Sequence, residues 1–301
     1  MRAFGVGGVC VPGIVVMLAG ALAMAEEPTP SPAPSPAVTF SLGVDWTSAY
    51  IFRGIPQENQ GAIIQPYAGM GVRLGEGSGS FGPTWLNLGI WNSIHTGPTG
   101  HGNDPSNWYE MDLTVGVSTT IAENWAVGLT YIAYTSPNSS FDTIHELDLT
   151  VGYDDTKLLG AWAMHPHAVL AFELANEADA GNSAFISSGT SSGIYLEIGI
   201  APQLPLTDKK FDGPYIVFPV TAGFSIANYY EDAAGHDDFF GYVDAGADLV
   251  WPLGKTGGAA WTLKVGPHFI YMGDNAAEIG SGITGGDDTL FYGRIGISAA
   301  F

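Results

Sequence analysis

From residue 38 to residue 301, apolar side chains recur at every second position in one segment after another. The stretch 289–301 shows the pattern most cleanly. Phe291, Gly293, Ile295, Ile297, Ala299 and Phe301 alternate with Tyr292, Arg294, Gly296 and Ser298. Successive side chains of a strand point to opposite faces, so each such segment is a strand that meets two different surroundings. The same alternation runs through 40–46, 64–74, 85–91, 110–118, 125–131, 146–153, 169–174, 194–200, 218–226, 242–251 and 262–271. The count is therefore about twelve strands, most of them near the roughly nine to eleven residues that cross a bilayer obliquely.

A soluble protein rarely leaves a long apolar edge uncovered. An even number of strands returns both barrel ends to one side, as bacterial barrels require. The connections alternate as well. Shorter ones follow strands two, four and ten, and longer, more polar ones fall at 95–107, 176–192, 231–238 and 273–288. Short periplasmic turns and long outer loops are the outer-membrane pattern, although 154–160 and 207–213 are longer than ideal. Trp46, Tyr50, Trp108, Tyr109, Trp125, Tyr153, Tyr229, Trp251, Trp261 and Tyr271 stand near strand ends, where amphipathic rings suit the headgroup layer. The expected fold is all-β: a single transmembrane, antiparallel, up-and-down β-barrel of about 12 strands over residues 38–301.

Ahead of the barrel, residues 1–25 read as a secretory signal peptide. Arg2 is the basic start, 14–22 the apolar centre, and Ala23-Met24-Ala25 the cleavage site. Residues 26–37 are a Pro-rich periplasmic linker. The single cysteine, Cys10, falls in the leader, so neither disulfide nor thiol chemistry is expected of the mature chain. The reading places the protein in the bacterial outer membrane. The closing Phe301 resembles the C-terminal signal that the barrel-assembly machinery reads, which implies that machinery as a partner.

The segment Tyr50-Ile51-Phe52-Arg53-Gly54-Ile55-Pro56-Gln57 resembles the first-strand signature of the TorF-like porin family, with Pro56 in place of the usual Ser. Leu88-Gly89-Ile90-Trp91-Asn92-Ser93 is similar to that family's next recurrent element. The likeness is sharp over about fifty residues and architectural beyond them. It implies an outer-membrane barrel with a pore function and supplies no catalytic residues.

Charge narrows the chemistry. The chain holds 9 Lys+Arg against 30 Asp+Glu, a net charge of −21, which argues against nucleic acid as a partner. Ionisable groups face lipid only at high cost, so their parity marks the lumen. That face carries Asp45, Glu110, Asp112, Glu146, Asp148, Glu173, Glu197, Asp244 and Asp248, together with Arg53, Arg73, Lys264 and Arg294. Two readings are open. Glu110, Asp112, Glu146 and Asp148 form an acidic belt that attracts cations, or the carboxylates pair with the lumen arginines and plug a narrow bore.

The outer loops hold Asp104, Glu231, Asp232, Asp237, Asp238, Asp287 and Asp288 without a calcium-loop motif. Solvation, or divalent bridging to lipopolysaccharide, fits them best, and no specific metal or cofactor site is expected. His165-Pro166-His167 lacks an evident third ligand. His145 has the lipid-facing parity, and Ser136, Ser139 and Ser140 precede it in a loop, but no G-x-S-x-G is present, so no catalytic residue is assigned. The expected function is a porin-like channel for small hydrophilic solutes, cation-preferring, with outer-membrane lipids and lipopolysaccharide as surroundings. The alternative is a non-conducting structural barrel or a barrel-embedded lipid-modifying enzyme.

Overall fold

The structure is a computed structural model and describes residues 10–11, 14–15, 37–175, 192–208, 210–232 and 234–301. Most of the expected leader and of the linker lies outside the described residues.

Twelve antiparallel strands close into a barrel. They are β1 Val38–Thr47, β2 Ile63–Gly75, β3 Thr84–His95, β4 Trp108–Ile121, β5 Trp125–Thr135, β6 Ile144–Tyr153, β7 His167–Ala175, β8 Ile194–Ile200 with Gln203–Pro205, β9 Tyr215–Val217 with Val220–Ala227, β10 Phe240–Gly246 with Asp248–Thr256, β11 Ala259–Met272 and β12 Thr289–Ala300. Each pairs with its sequence neighbour, and β12 pairs with β1 from Arg294 opposite Thr47 to Ala300 opposite Ser41. The interruptions in β8, β9 and β10 do not shift the register. Ile200 faces Val220 and Gln203 faces Val217 across the same ladder. Closure leaves no free sheet edge, which is how a β-structure survives in lipid.

The period-two pattern decides which residues face out. Leu42, Val44, Trp46, Leu113, Val115, Val117, Leu129, Ile198, Val265, Ile295 and Ile297 are all exposed. An apolar surface that encircles the molecule is a lipid belt, not a soluble surface. Tight turns, including Ala122-Glu123 and Gly257-Gly258 with positive φ at both residues, join strands at the end that also holds both barrel termini. Longer connections lie at the other end. In outer-membrane barrels these ends are periplasmic and outer.

The packed interior lies within the lumen. One cluster joins Ile51 and Ile55 to Tyr195, Tyr229, Tyr230, Tyr242, Ile270 and Met272. A second joins Tyr50 and Phe52 to Trp91, Tyr109, Ile132 and Tyr134. The headgroup assignment of the strand-end aromatics is corrected here for three of them. Tyr50, Tyr109 and Tyr229 are buried inside the barrel, whereas Trp46, Trp108, Trp125, Trp251 and Tyr271 do face outward.

Candidate functional site

The connection between β1 and β2 turns inward. Its residues form a hairpin of Tyr50–Phe52 and Ile55–Glu58, whose two-residue turn is Arg53-Gly54. Both turn residues have positive φ, +47° and +83°, the geometry that matches the twist of a tight hairpin. Glycine is required at the second position, since a Cβ there would lie 2.6 Å from the Tyr242 ring. Both faces of this hairpin are buried, so it is a wedge inside the barrel and not a further wall strand. Arg53 was expected on the lumen wall. It sits instead at the wedge tip.

At the tip, the Arg53 guanidinium bonds both oxygens of Glu146, with Nη2 2.7 Å from Oε1. It lies 3.5 Å from Asp148, donates to the Tyr229 hydroxyl at 3.0 Å, and stands 4.3 Å over the Tyr195 ring. Tyr134 donates to Glu146 and Tyr230 donates to the Arg53 carbonyl oxygen. At the base, the Glu58 carboxylate accepts from the backbone N–H of Asn59, Gln60 and Thr99 and from the Thr99 hydroxyl. Because Thr99 donates to Glu58, it accepts from His95 Nδ1, which leaves Nε2 to accept from Ser93 at 2.7 Å. The resulting chain, Ser93–His95–Thr99–Glu58, orders its protons as a hydrolase triad does. Ser93 and His95 are wholly enclosed and the terminal acid belongs to the hairpin, so the chain clasps the hairpin to β3 and offers a substrate no access. Sequence reasoning missed this clasp, although Ser93 and His95 share the lumen parity of Trp91.

From above, two short helices, α1 Asp274–Ile279 and α2 Ser281–Thr284, cover the wedge. Asn59 donates to the Ile283 carbonyl oxygen at 3.0 Å.

The lumen carboxylates thus fall into separate groups and not one continuous belt. Glu146 and Asp148 meet Arg53. Glu197 accepts from Tyr195 and Tyr242 at 2.8 and 2.7 Å. Glu110 and Asp112 stand beside Tyr50, opposite Ser93 and Trp91 in the ladder. Glu173 accepts the Gly193 N–H at 2.6 Å near the outer mouth. On the opposite wall Asp248 gathers Arg294, Lys264 at 3.3 Å and His268 at 3.4 Å, while Asp244 accepts from Tyr292 and meets His268 at 2.7 Å. Asp45 and Lys264 both lie opposite Gly296 in the ladder, which places Asp45 beside this group. Arg73 stands apart, near the periplasmic end, paired with Glu76 at 3.0 Å.

Burial divides the lumen into two halves. Around the wedge, Glu110, Asp112, Ile132, Tyr134, Glu146 and Asp148 are buried almost completely. Toward the periplasm several inward side chains are small, polar and partly accessible, Asn87, Thr114, Ser118, Thr130 and Thr221, beside the buried Trp85, Val169, Tyr215 and Val250. The geometry is a polar vestibule that ends at a seal.

Two sequence candidates lie elsewhere. His145 faces lipid, and its Nδ1 pairs with the Tyr131 hydroxyl at 2.6 Å; Ser136 donates to the Tyr109 carbonyl oxygen on β4 and Ser140 to the Asn138 side chain in its own loop. In the β6–β7 turn, Asp154, Asp155 and His165 each bring a ligand atom within 4.8 Å of the others. His165 therefore has acidic neighbours that its sequence context did not reveal. Asp155 already accepts the backbone N–H groups of Met164 and His165, which explains the group as a turn brace. Partial burial pushes the Asp155 carboxyl up, but these bonds pull it net below the usual carboxylate range.

The model of the Gcw_chp family, described as a bacterial protein of unknown function, matches residues 31–252. The chain belongs to this family. The motifs at 50–57 and 88–93 lie within that match, and the family's description does not carry the TorF-like label. No curated protein matches the chain. Among solved structures, the chain is similar to the NanC porin at 10% identity, covering 85% of this chain and 98% of that one, with a TM-score of 0.46. It is similar to the translocator domain of the autotransporter NalP from Neisseria meningitidis at 11% identity, covering 88% of each, with a TM-score of 0.39. It is also similar to the outer-membrane channel DcaP of Acinetobacter baumannii at 10% identity, covering 88% and 96%, with a TM-score of 0.36.

Proposed function

We propose that this family member is a porin-like outer-membrane channel for small hydrophilic solutes, held closed by the hairpin at 50–58 and cation-preferring once that hairpin withdraws. The observation that carries the reading is the seal around Arg53 above a polar vestibule. A purely structural barrel has no use for a solvent-accessible polar half. The preference follows from where the positive charge sits. Arg53 faces Glu146 and Asp148 from the hairpin and not from the wall. When the hairpin leaves, it takes that charge with it, and the wall keeps Glu110, Asp112, Glu146, Asp148 and Glu197. A low-dielectric passage so lined favours cations.

The non-conducting reading has one observation in its favour: the hairpin is held at both tip and base. Planar-bilayer recording decides between them. Replacing residues 50–58 with a short Gly-Ser link should convert a silent or low-conducting barrel into an open, cation-selective one. A folded variant that stays silent, or that selects anions, refutes the proposal. In the same reading, Phe301 addresses the chain to the assembly machinery, and the acidic outer loops meet lipopolysaccharide through divalent ions.

A further inference from the structure

Two periplasmic connections are longer than a barrel needs, and both present large apolar side chains. The β6–β7 connection follows Tyr153 with one helical turn, Thr156–Leu159, and a tighter one, Gly160–Trp162. Trp162 is 82% exposed, Leu158 72% and Leu159 47%. At the β8–β9 connection, Leu204 and Leu206 are 52% and 48% exposed. The tight turns at Ala122-Glu123 and Gly257-Gly258, at the same end of the barrel, are made of residues with no large apolar side chain.

The ladder fixes where Leu204 and Leu206 point. Gln203 faces Val217, Pro205 faces Tyr215, and the Leu206 N–H donates to the Pro214 carbonyl oxygen, so pairing runs on to Leu206. Tyr215 and Val250, opposite each other, are buried on the lumen side. Leu204 and Leu206 have the other parity, that of the exposed Ile198, and carry the lipid-facing stripe of β8 toward the periplasm. Gly160–Trp162 lies beside Gln203–Pro205, and the Ala201 N–H donates to the Met164 carbonyl oxygen, which brings both groups to one side of the barrel. Trp125 and Tyr153 stack at 4.6 Å at the periplasmic strand ends, and the helical turn begins just past Tyr153. An apolar surface beside such an aromatic pair lies at headgroup depth.

Charge agrees with that placement. Residues 156–164 contain one charged side chain, Lys157, in a chain with 30 Asp+Glu. Lys157 reaches aside to Glu123 at 2.8 Å. In the second turn the sequence balances Lys209 and Lys210 against Asp208 and Asp212. Neither turn carries the acidic excess that would repel anionic headgroups.

We propose that the β6–β7 and β8–β9 turns form a membrane-surface anchor, in which Leu158, Leu159, Trp162, Leu204 and Leu206 enter the phospholipid leaflet on the periplasmic side. The occupant is lipid because the patch continues the lipid-facing stripe of β8 and has a tryptophan, an interfacial residue, at its exposed tip. Apolar side chains of such surface segments settle about 5–10 Å into the boundary between headgroups and acyl chains. The anchor holds the barrel from the side of β6 to β9, whether or not the lumen conducts.

The test is a spin-label depth measurement. A nitroxide is attached to Trp162→Cys in a Cys10→Ser chain, and the barrel is reconstituted in vesicles of phosphatidylethanolamine and phosphatidylglycerol. Collision with oxygen, which concentrates in lipid, is compared with collision with a water-soluble nickel chelate. The oxygen-to-nickel ratio at 162 should be several-fold higher than at Glu123→Cys, in a tight turn at the same end, and should approach that at Ile198→Cys on the lipid belt. Leu158→Cys should give the same result, which covers a Trp162→Cys barrel that fails to fold. A ratio no higher than at 123 places the turns in water and overturns the anchor. Labels shielded from both reagents overturn it as well, since a second copy or another protein would then cover the patch. Conductance plays no part in this readout, so the anchor and the channel stand or fall separately.

Discussion

Removing the charge at the hairpin tip tests the closed state most directly. In Arg53→Met the chain keeps a side chain of similar length but loses the bidentate bond to Glu146, the contact with Asp148 and the packing of the guanidinium over Tyr195. Glu146 and Asp148 are both fully buried, so the variant strands two neighbouring carboxylates with only Tyr134 donating to Glu146. Breaking a buried pair from one side costs about 3–5 kcal/mol, mostly because the remaining charge stays desolvated. At about 1.4 kcal/mol per decade, that is a loss of roughly two to three and a half decades in the folding equilibrium. Removing both partners should cost far less. Arg53→Met with Glu146→Gln leaves no stranded Glu146 charge, and its stability is expected within about 2 kcal/mol of wild type. The assay is reversible urea unfolding in lipid vesicles, followed by gel mobility and tryptophan emission. If Arg53→Met costs less than about 1 kcal/mol, or if the double variant is no better than the single, the hairpin is not latched by charge.

In the barrel lacking residues 50–58, the reversal potential in a KCl gradient should show a clear K⁺ preference at low salt that shrinks as salt rises toward a Debye length of about 10 Å. Adding Glu110→Gln, Asp112→Asn, Glu146→Gln and Asp148→Asn should lower that preference; an unchanged potential rules out these carboxylates as its source. Deleting Phe301, which bonds Phe40 through its backbone N–H and turns its ring to lipid, should reduce the amount of folded barrel in the outer membrane without altering conductance per barrel; normal levels of folded protein would contradict the assembly role. Asp155 titrates below the usual carboxylate range, so its bonds stabilise the fold above the unfolded value of about 4 and lose that effect as pH falls through the lower folded value. Asp155→Asn should therefore be less stable than wild type at pH 7, with the gap closing below about pH 4; a gap that widens on acidification would refute the brace.

The barrel was legible because its two solvents act on every residue separately. Leu113 and Val115 are exposed while Asp112, of the opposite parity, is buried, and no knowledge of neighbouring strands is needed to see that alternation. The pairing of charges was not legible, because it depends on register and on a loop. Glu146 lies opposite Ile132 on one side and Glu173 on the other, a placement that alternation within β6 cannot reveal. The hairpin hid for a similar reason. Both its faces are buried, so it shows no alternation, and its Arg53-Gly54 turn lacks the Asn-Gly or Asp-Gly that marks such turns. Tyr50, Tyr109 and Tyr229 misled because a membrane girdle and a lumen seal both call for large rings with a polar tip. The Ser93–His95 clasp was half visible, as two lumen-facing residues two positions apart. Its other half, Thr99 and Glu58, comes from loops whose inward course the sequence does not announce.

The energetics of the latch also bear on how the proposed channel would open. Two unit charges 4 Å apart attract by about 4 kcal/mol at an effective dielectric of 20 and by about 1 kcal/mol in water. While the wedge is in place, Arg53 and Glu146 are dry and their bond is near the stronger limit. Any movement that admits water drives it toward the weaker one, and the freed carboxylates gain hydration as they lose the guanidinium. A half-withdrawn hairpin is therefore the worst arrangement, with the pair loosened but the carboxylates not yet solvated. The aromatic packing around Tyr50 and Phe52 favours the same extremes, because partial withdrawal opens voids that neither water nor side chains fill. The wild-type barrel should consequently switch in full steps, with single-channel records jumping between a closed level and one open level. In Arg53→Met the closed level should become short-lived while the open level keeps its size to within the small change made by one side chain. A smooth continuum of conductances in wild type, or an open level that scales with the residue at position 53, would show that the hairpin narrows the pore by degrees and does not act as a latch.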